Sequence, residues 1–155
     1  SEPKLSGAAL KVFMEKVEGA SKLYQEALKD GAFAPWVRPG RLLDLHGMST
    51  EVAKVAVYMA LTGVPDLEED DLAFLWGLKI IVGKGIHSKD NQLVLEPAIR
   101  ELLEDVFRLT VNQTVEGAFR IPAQDLMAIK RLGAWPPKWL KEGKEPPKAW
   151  LKRKQ

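Results

Sequence analysis

Arg41-Leu42-Leu43-Asp44-Leu45-His46-Gly47 is the stretch on which the reading of the whole chain turns. From Leu43 to His46 apolar and polar residues alternate, the pattern of a short strand with one face in a core. Leu43 and Leu45 then point inward, while Asp44 and His46 share the opposite face, about 7 Å apart along the backbone. Gly47 permits a sharp exit. Ser49 is an N-cap for a helix carrying Val52, Val55, Ala56 and Met59 on one side. Further on, Leu78 to Val82 reads as a second strand, so nearly all apolar that both its faces are expected to be covered.

Other elements fall into place around these two strands. Gly63 to Asp71 is an acidic connector. After Gly83 to Asn91 comes a helix expected to hold Pro97 in its first turn and Ile99, Leu102, Leu103 and Val106 on its apolar face. Val111 to Gln113 and Ala118 to Ile121 are two more strands around a turn at Glu116-Gly117. The order β-α-β-α-β-β predicts an α/β layered domain over residues 36–122. Residues 1–35 form a helical extension, with apolar positions at helical spacing from Leu5 to Leu28, a possible division at Gly19 and Ser21, and a stop at Gly31. Pro35, Pro39 and Gly40 mark a connector. Residues 123–155 comprise a helix, Ala123 to Leu132, ending at Gly133, and a Lys-, Pro- and Trp-rich tail in which the proline pairs are expected to prevent regular structure.

At 155 residues and 46% hydrophobic, the chain can bury the core of one domain. No apolar run reaches the ~18 residues of a membrane-spanning helix, so a membrane partner is not expected. The sequence has no cysteine, which excludes disulfides, thiolate zinc sites and a cysteine nucleophile, and its two histidines are too few for a histidine metal cage. No signal-like or transit-like segment opens the sequence at Ser1, so any address is expected to have been removed or to lie outside this fragment. The net charge of +2 divides into −5 over residues 1–125 and +7 over residues 126–155. A basic tail on an acidic body suits a polyanion approached from one side, or a solvated tail with no partner.

Two constellations can carry chemistry. An imidazole beside a carboxylate at a strand end, His46 and Asp44, can be oriented and kept basic as a general base requires, or the histidine can simply bond its own backbone or cap the next helix. Gly83-Lys84-Gly85-Ile86-His87-Ser88 follows the second strand. Its glycines can let backbone amides converge on an anion, with Lys84 adding charge and His87 and Ser88 a titratable group and a hydroxyl; the alternative is a plain turn. It lacks the ending of a P-loop and the third glycine of a dinucleotide fingerprint. Both histidines thus sit in glycine-bearing loops after strands, where sites of open α/β sheets gather.

If the two strands are neighbours, a phosphate held by the loop faces Asp44 and His46. The inventory suits acid/base cleavage of RNA without a required cofactor, although Asp44 can hold one Mg2+ loosely. His46 would take the 2′-hydroxyl proton, Lys84 and loop amides would stabilise the phosphorane, and His87 would protonate the leaving oxygen. Arg120, alternating with Phe119 and Ile121, is placed to touch phosphate. Glu68-Glu69-Asp70-Asp71 can hold a cation or stay solvated. Trp135, Trp139 and Trp150, interleaved with Lys138, Lys141, Lys148 and Lys152, suit single-stranded bases or pack back on the domain. Trp36 and Trp76 are expected as core or linker anchors.

Leu43-Asp44-Leu45-His46-Gly47 together with Ile80-Ile81-Val82-Gly83-Lys84-Gly85-Ile86-His87-Ser88 resembles the Smr (small MutS-related) domain, marked by an LDLHG motif and a later HGxG or TGxGxHS loop. The likeness covers roughly residues 41–121; Val82 stands where the family has His or Thr. The Gly-Lys-Gly-Ile-His-Ser loop, the Pro97-Ala98-Ile99-Arg100 segment and the lead-in Ala27-Leu28-Lys29-Asp30-Gly31 are similar to plant pentatricopeptide-repeat proteins that end in an Smr domain. That resemblance implies a two-layer α/β sandwich and a chloroplast, or alternatively mitochondrial, protein whose upstream repeats select RNA. It implies functional roles for Asp44, His46, Gly83, Lys84 and Gly85, with His87 and Ser88 matching the plant loop. The expectation is an RNA endonuclease domain acting on single-stranded RNA, with DNA nicking, a non-catalytic nucleic-acid-binding module and a protein-docking domain as alternatives.

Overall fold

Ser6 starts the first helix, its hydroxyl accepting from the Ala9 amide at 3.1 Å. The computed structural model describes residues 5–83, 89–115 and 117–153, with the backbone alone for residues 89–93. Helix α1 (Gly7–Lys29) runs unbroken where a division was expected. The Ser21 hydroxyl donates to the Glu18 carbonyl at 2.6 Å, so it bonds within the helix instead of capping a new one. Gly31, at φ 78°, takes the left-handed conformation that ends it.

Between two prolines, Trp36–Arg38 pairs as an edge strand, β1, in place of the irregular connector expected there. Prolines are tolerated at a sheet edge because a missing donor there breaks no interior ladder, and the Pro35 carbonyl still accepts from the Asp44 amide at 2.7 Å. Strand β2 (Leu42–Asp44) leads to helix α2 (Thr50–Thr62), whose N-cap is Ser49 as the sequence predicts, with Val52 N donating to its hydroxyl at 3.3 Å. The acidic connector holds a 3-10 turn at Val64–Asp66, and a short helix, α3 (Ala73–Trp76), follows it. The Asp71 carboxylate accepts from the Ala73 amide at 2.9 Å, a local bond two residues on that ties that acid to the chain just before α3. Strand β3 (Leu78–Ile81) follows, then helix α4 (Lys89–Glu101), which continues into a wide π-type turn at Leu102–Val106. Pro97 lies inside α4 rather than in its first turn, because the helix begins earlier than the apolar spacing suggests. Strands β4 (Asn112–Val115) and β5 (Ala118–Ile121) and helix α5 (Ala123–Leu132) complete the domain, with Gly133 as the left-handed C-cap.

The five strands form one sheet in the order β1-β2-β3-β5-β4. Only β2 and β3 are parallel, joined through α2; their register pairs Leu42 with Lys79 and Asp44 with Ile81. The protein is therefore a small mixed α/β domain with an N-terminal helix. Burial alternates along β2 and β3 and, from Phe119 onward, along β5. Leu43, Leu78, Ile80, Phe119 and Ile121 are buried, whereas Leu42, Asp44, Lys79, Ile81 and Arg120 are half-exposed. This corrects the expectation that the second strand is covered on both faces: Lys79 breaks its apolar run on the side that stays open.

The C-terminal segment is part of the core. Helices α6 (Lys138–Lys141) and α7 (Lys148–Leu151) each start at a proline in the N-cap position, so the proline pairs begin helices here rather than prevent them. Trp135 and Trp150 are buried. Trp135 meets Phe107 edge-on at 5.5 Å, and Trp150 lies 6.1 Å from Trp135 and 6.2 Å from Trp139. Arg153 is the latch. Its guanidinium reaches the Asp125 carboxylate at 3.2 Å, with both side chains buried, and also donates to the Arg108 carbonyl at 2.5 Å. Asp125 also accepts from the Thr110 amide at 2.6 Å. Removing one partner of such a pair leaves an uncompensated buried charge, a loss of about 3–5 kcal/mol. No helix among the described residues is long and apolar enough to cross a membrane.

Candidate functional site

Strand β2 stops at Asp44, and the chain folds back on itself over the next two residues. One carboxylate oxygen of Asp44, Oδ1, accepts from the His46 backbone amide at 3.0 Å and lies 2.7 Å from His46 Nδ1. The amide bond fixes the turn and the ring bond fixes the imidazole, so a single oxygen sets both. Gly47, at φ 79°, carries the chain away in a conformation that a side chain would strain. Leu45 is fully buried beneath, and its amide donates to the Ile81 carbonyl at 2.8 Å, extending the parallel pairing past the strand end. The His46 side chain is 53% exposed and that of Asp44 24%, so the couple is rigid on its protein side and open on the other.

With Nδ1 directed at a carboxylate, the favoured neutral tautomer carries its proton there, leaving the Nε2 lone pair as a base. If the ring takes up a proton, Asp44 is in place to stabilise the imidazolium. The strand alternation read from sequence placed these two side chains on one face; the observed contact is closer than alternation alone gives, because His46 lies in the turn after the strand. His46 does not cap α2, a role held by Ser49.

Gly83 follows two residues after Ile81, so the second constellation leaves β3 at the same end of the sheet at which His46 leaves β2. Gly83 is buried, and its amide donates to the Gly117 carbonyl at 3.3 Å, as does that of Val82 at 2.8 Å. The Gly83 amide is thus engaged in the sheet and does not serve as one of the converging donors. Lys84, Gly85, His87 and Ser88 lie outside the described residues.

Arg120 is at the other end of the sheet. Its Nη1 donates to the Trp76 carbonyl at 2.5 Å, and it pairs in register with Lys79. Trp76 is 56% exposed, which corrects its reading as a core or linker anchor; Trp36 packs partly buried against the core. Arg38, Arg41, Lys79 and Arg120 together line a cavity of about 250 Å³ beside Trp76. Sequence reasoning singled out Arg120 alone. Lys79, an ionisable residue inside an apolar run, was the available signal for the rest. Because Trp135 and Trp150 are buried, they have no face to offer a base. Among the described residues no group of three His, Asp or Glu side chains is placed to hold a metal ion, the Glu68–Asp71 run included.

Family models, curated proteins and solved structures were each compared with the chain, and none matches. The likeness to Smr domains therefore stands on the quoted motifs.

Proposed function

We propose that the chain is an Smr-like endonuclease domain of the two-layer α/β sandwich type that cleaves single-stranded RNA by acid/base chemistry at the Asp44–His46 corner. The observation that carries this reading is the double engagement of Asp44 Oδ1 by the amide and ring of an otherwise open histidine. The parallel neighbours β2 and β3 support it too, since both motifs leave the sheet at one end, as sites of α/β sheets do.

In the reaction, Nε2 of His46 takes the proton from a ribose 2′-hydroxyl as that oxygen attacks the adjacent phosphorus. The P–O5′ bond breaks, and the 5′ oxygen takes a proton as it leaves, from His87 in this reading. The products are a 2′,3′-cyclic phosphate and a 5′-hydroxyl. Asp44 stabilises the imidazolium and keeps the ring oriented, while Lys84, with Gly85 and Ser88 beside it, holds the phosphate. The plant pentatricopeptide-repeat branch and its organellar setting belong to the same proposal.

The test is cleavage of one end-labelled RNA by wild type and His46→Ala, with magnesium and with chelator, beside the same RNA bearing a 2′-deoxy sugar at the cut. Wild type should cut the ribose substrate only, and the variant neither. Cutting of the deoxy substrate would redirect the proposal to a water nucleophile. Identical products from wild type and variant would end it.

A further inference from the structure

Four cationic side chains meet at the end of β2 and β3 opposite the Asp44–His46 corner. Arg38 projects from β1, Arg41 from the turn before β2, Lys79 from β3 and Arg120 from β5, all lining one cavity into which no carboxylate opens. None of the ion pairs among the described residues involves any of the four. Gathering like charges without a counter-charge is unfavourable, and it raises the local concentration of anions.

Trp76 gives the pocket its other character. Trp76 lines it and is 56% exposed, and its carbonyl is held by Arg120. Gly77 after it, at φ 81°, approaches so closely that a Cβ would strike the Ile121 carbonyl. The tryptophan is thus presented on a fixed backbone. A large exposed aromatic among cations suits single-stranded nucleic acid, whose bases stack and whose phosphates are neutralised. An acidic peptide would use the charges but not the ring.

We propose that this pocket is a backbone-binding exosite for single-stranded RNA. Arg38, Arg41 and Lys79 hold phosphates, Trp76 stacks on a base, and Arg120 positions Trp76. From the Lys79 level to the Ile81 and Asp44 level is two residues, about 7 Å along the strand, so one strand of RNA can cross the half-exposed face from exosite to cleavage corner. The ligand class rests on the proposed function; the binding itself does not require cleavage.

Binding is measured by fluorescence anisotropy with a labelled 2′-O-methyl oligouridylate of about 12 nucleotides, which the proposed chemistry cannot cut, over a range of salt. Wild type is compared with Arg38→Gln/Lys79→Gln, with Trp76→Ala, and with Lys16→Gln/Lys22→Gln, which removes two exposed charges from α1. The first double variant should weaken binding and lower the slope of log K against log salt by about 1.4, near 0.7 per lost contact. Trp76→Ala should weaken it about tenfold with little change of slope. The α1 variant should match wild type. Arg38→Lys/Lys79→Arg should restore the slope, which separates lost charge from lost folding. Equal slopes in wild type and Arg38→Gln/Lys79→Gln would overturn the exosite, as would binding of polyglutamate in preference to the RNA. Normal exosite behaviour in a protein that cuts no ribose substrate would remove the endonuclease reading and leave the exosite standing; cleavage indifferent to the cluster would do the reverse.

Discussion

The parallel pair β2–β3 has two ends with opposite chemistry. At its carboxyl end one imidazole is held by one carboxylate and is otherwise open; at its amino end four cations and a tryptophan share a cavity with no acid. A group that must accept and release a proton needs a single oriented partner and a free edge. A surface that must hold a charged strand needs several like charges spread over the width of a phosphate backbone, and no competing carboxylate. Placing these demands at opposite ends of the same two strands keeps the acid of the first paired with its histidine and out of ion-pair contact with the cations of the second.

That division can be broken in order of expected effect. His46→Ala removes the base and should lower the single-turnover rate about 100-fold or more, with RNA affinity held, as read by anisotropy on the uncut oligomer. Asp44→Asn should give a smaller loss, since the ring keeps its base but loses the carboxylate that stabilises its protonated form. Gly77→Ala acts at the opposite end. The left-handed backbone and the Ile121 carbonyl leave no room for a methyl, so stability should fall by roughly 2 kcal/mol in a denaturant melt. RNA binding should weaken with it as Trp76 shifts. If Gly77→Ala instead alters only the cleavage rate, the two ends are not separate.

The smallest effect lies away from both ends, in the helices. Burial raises the phenols of Tyr24 and Tyr58 above the ordinary value of 10.0, and Glu18 raises Tyr58 further. The unfolded chain gives up these protons first, so their contribution is fully present below about pH 10 and is lost as pH rises through the folded values. Denaturant midpoints should therefore decline above about pH 10 and decline less in Tyr24→Phe. Arg38→Gln/Lys79→Gln should follow wild type through this range, which sharpens the claim that the cluster serves binding rather than the fold.

Much of this arrangement was legible in the sequence because it is local. Alternation around Leu43 and Leu45 and the Ser49 cap specify β2 and α2 within ten residues of one another, and the Asp44–His46 contact spans only two. The cation cluster was not legible. Its members come from four segments, and only the strand order brings Arg38, Lys79 and Arg120 together. The tail was legible in part: its tryptophans pack back on the domain, one of the two readings the sequence allows, while its proline pairs begin helices rather than prevent them. Proline pairs and lysines describe a solvated segment locally, yet Arg153 meets Asp125 and Trp150 donates to the Arg108 carbonyl at 3.2 Å across more than 25 residues of chain. Those partners decide the outcome, and no window of sequence contains both.

The most direct measurement is a pair of saturation curves for cleavage of one ribose substrate, taken with His46→Ala and with Arg38→Gln/Lys79→Gln under identical salt. A proton-transfer end and a strand-holding end require the first substitution to lower kcat with KM nearly unchanged and the second to raise KM several-fold at a similar kcat. Should both move the same parameter, or should the histidine variant turn over as wild type does, the separation of the two ends is wrong.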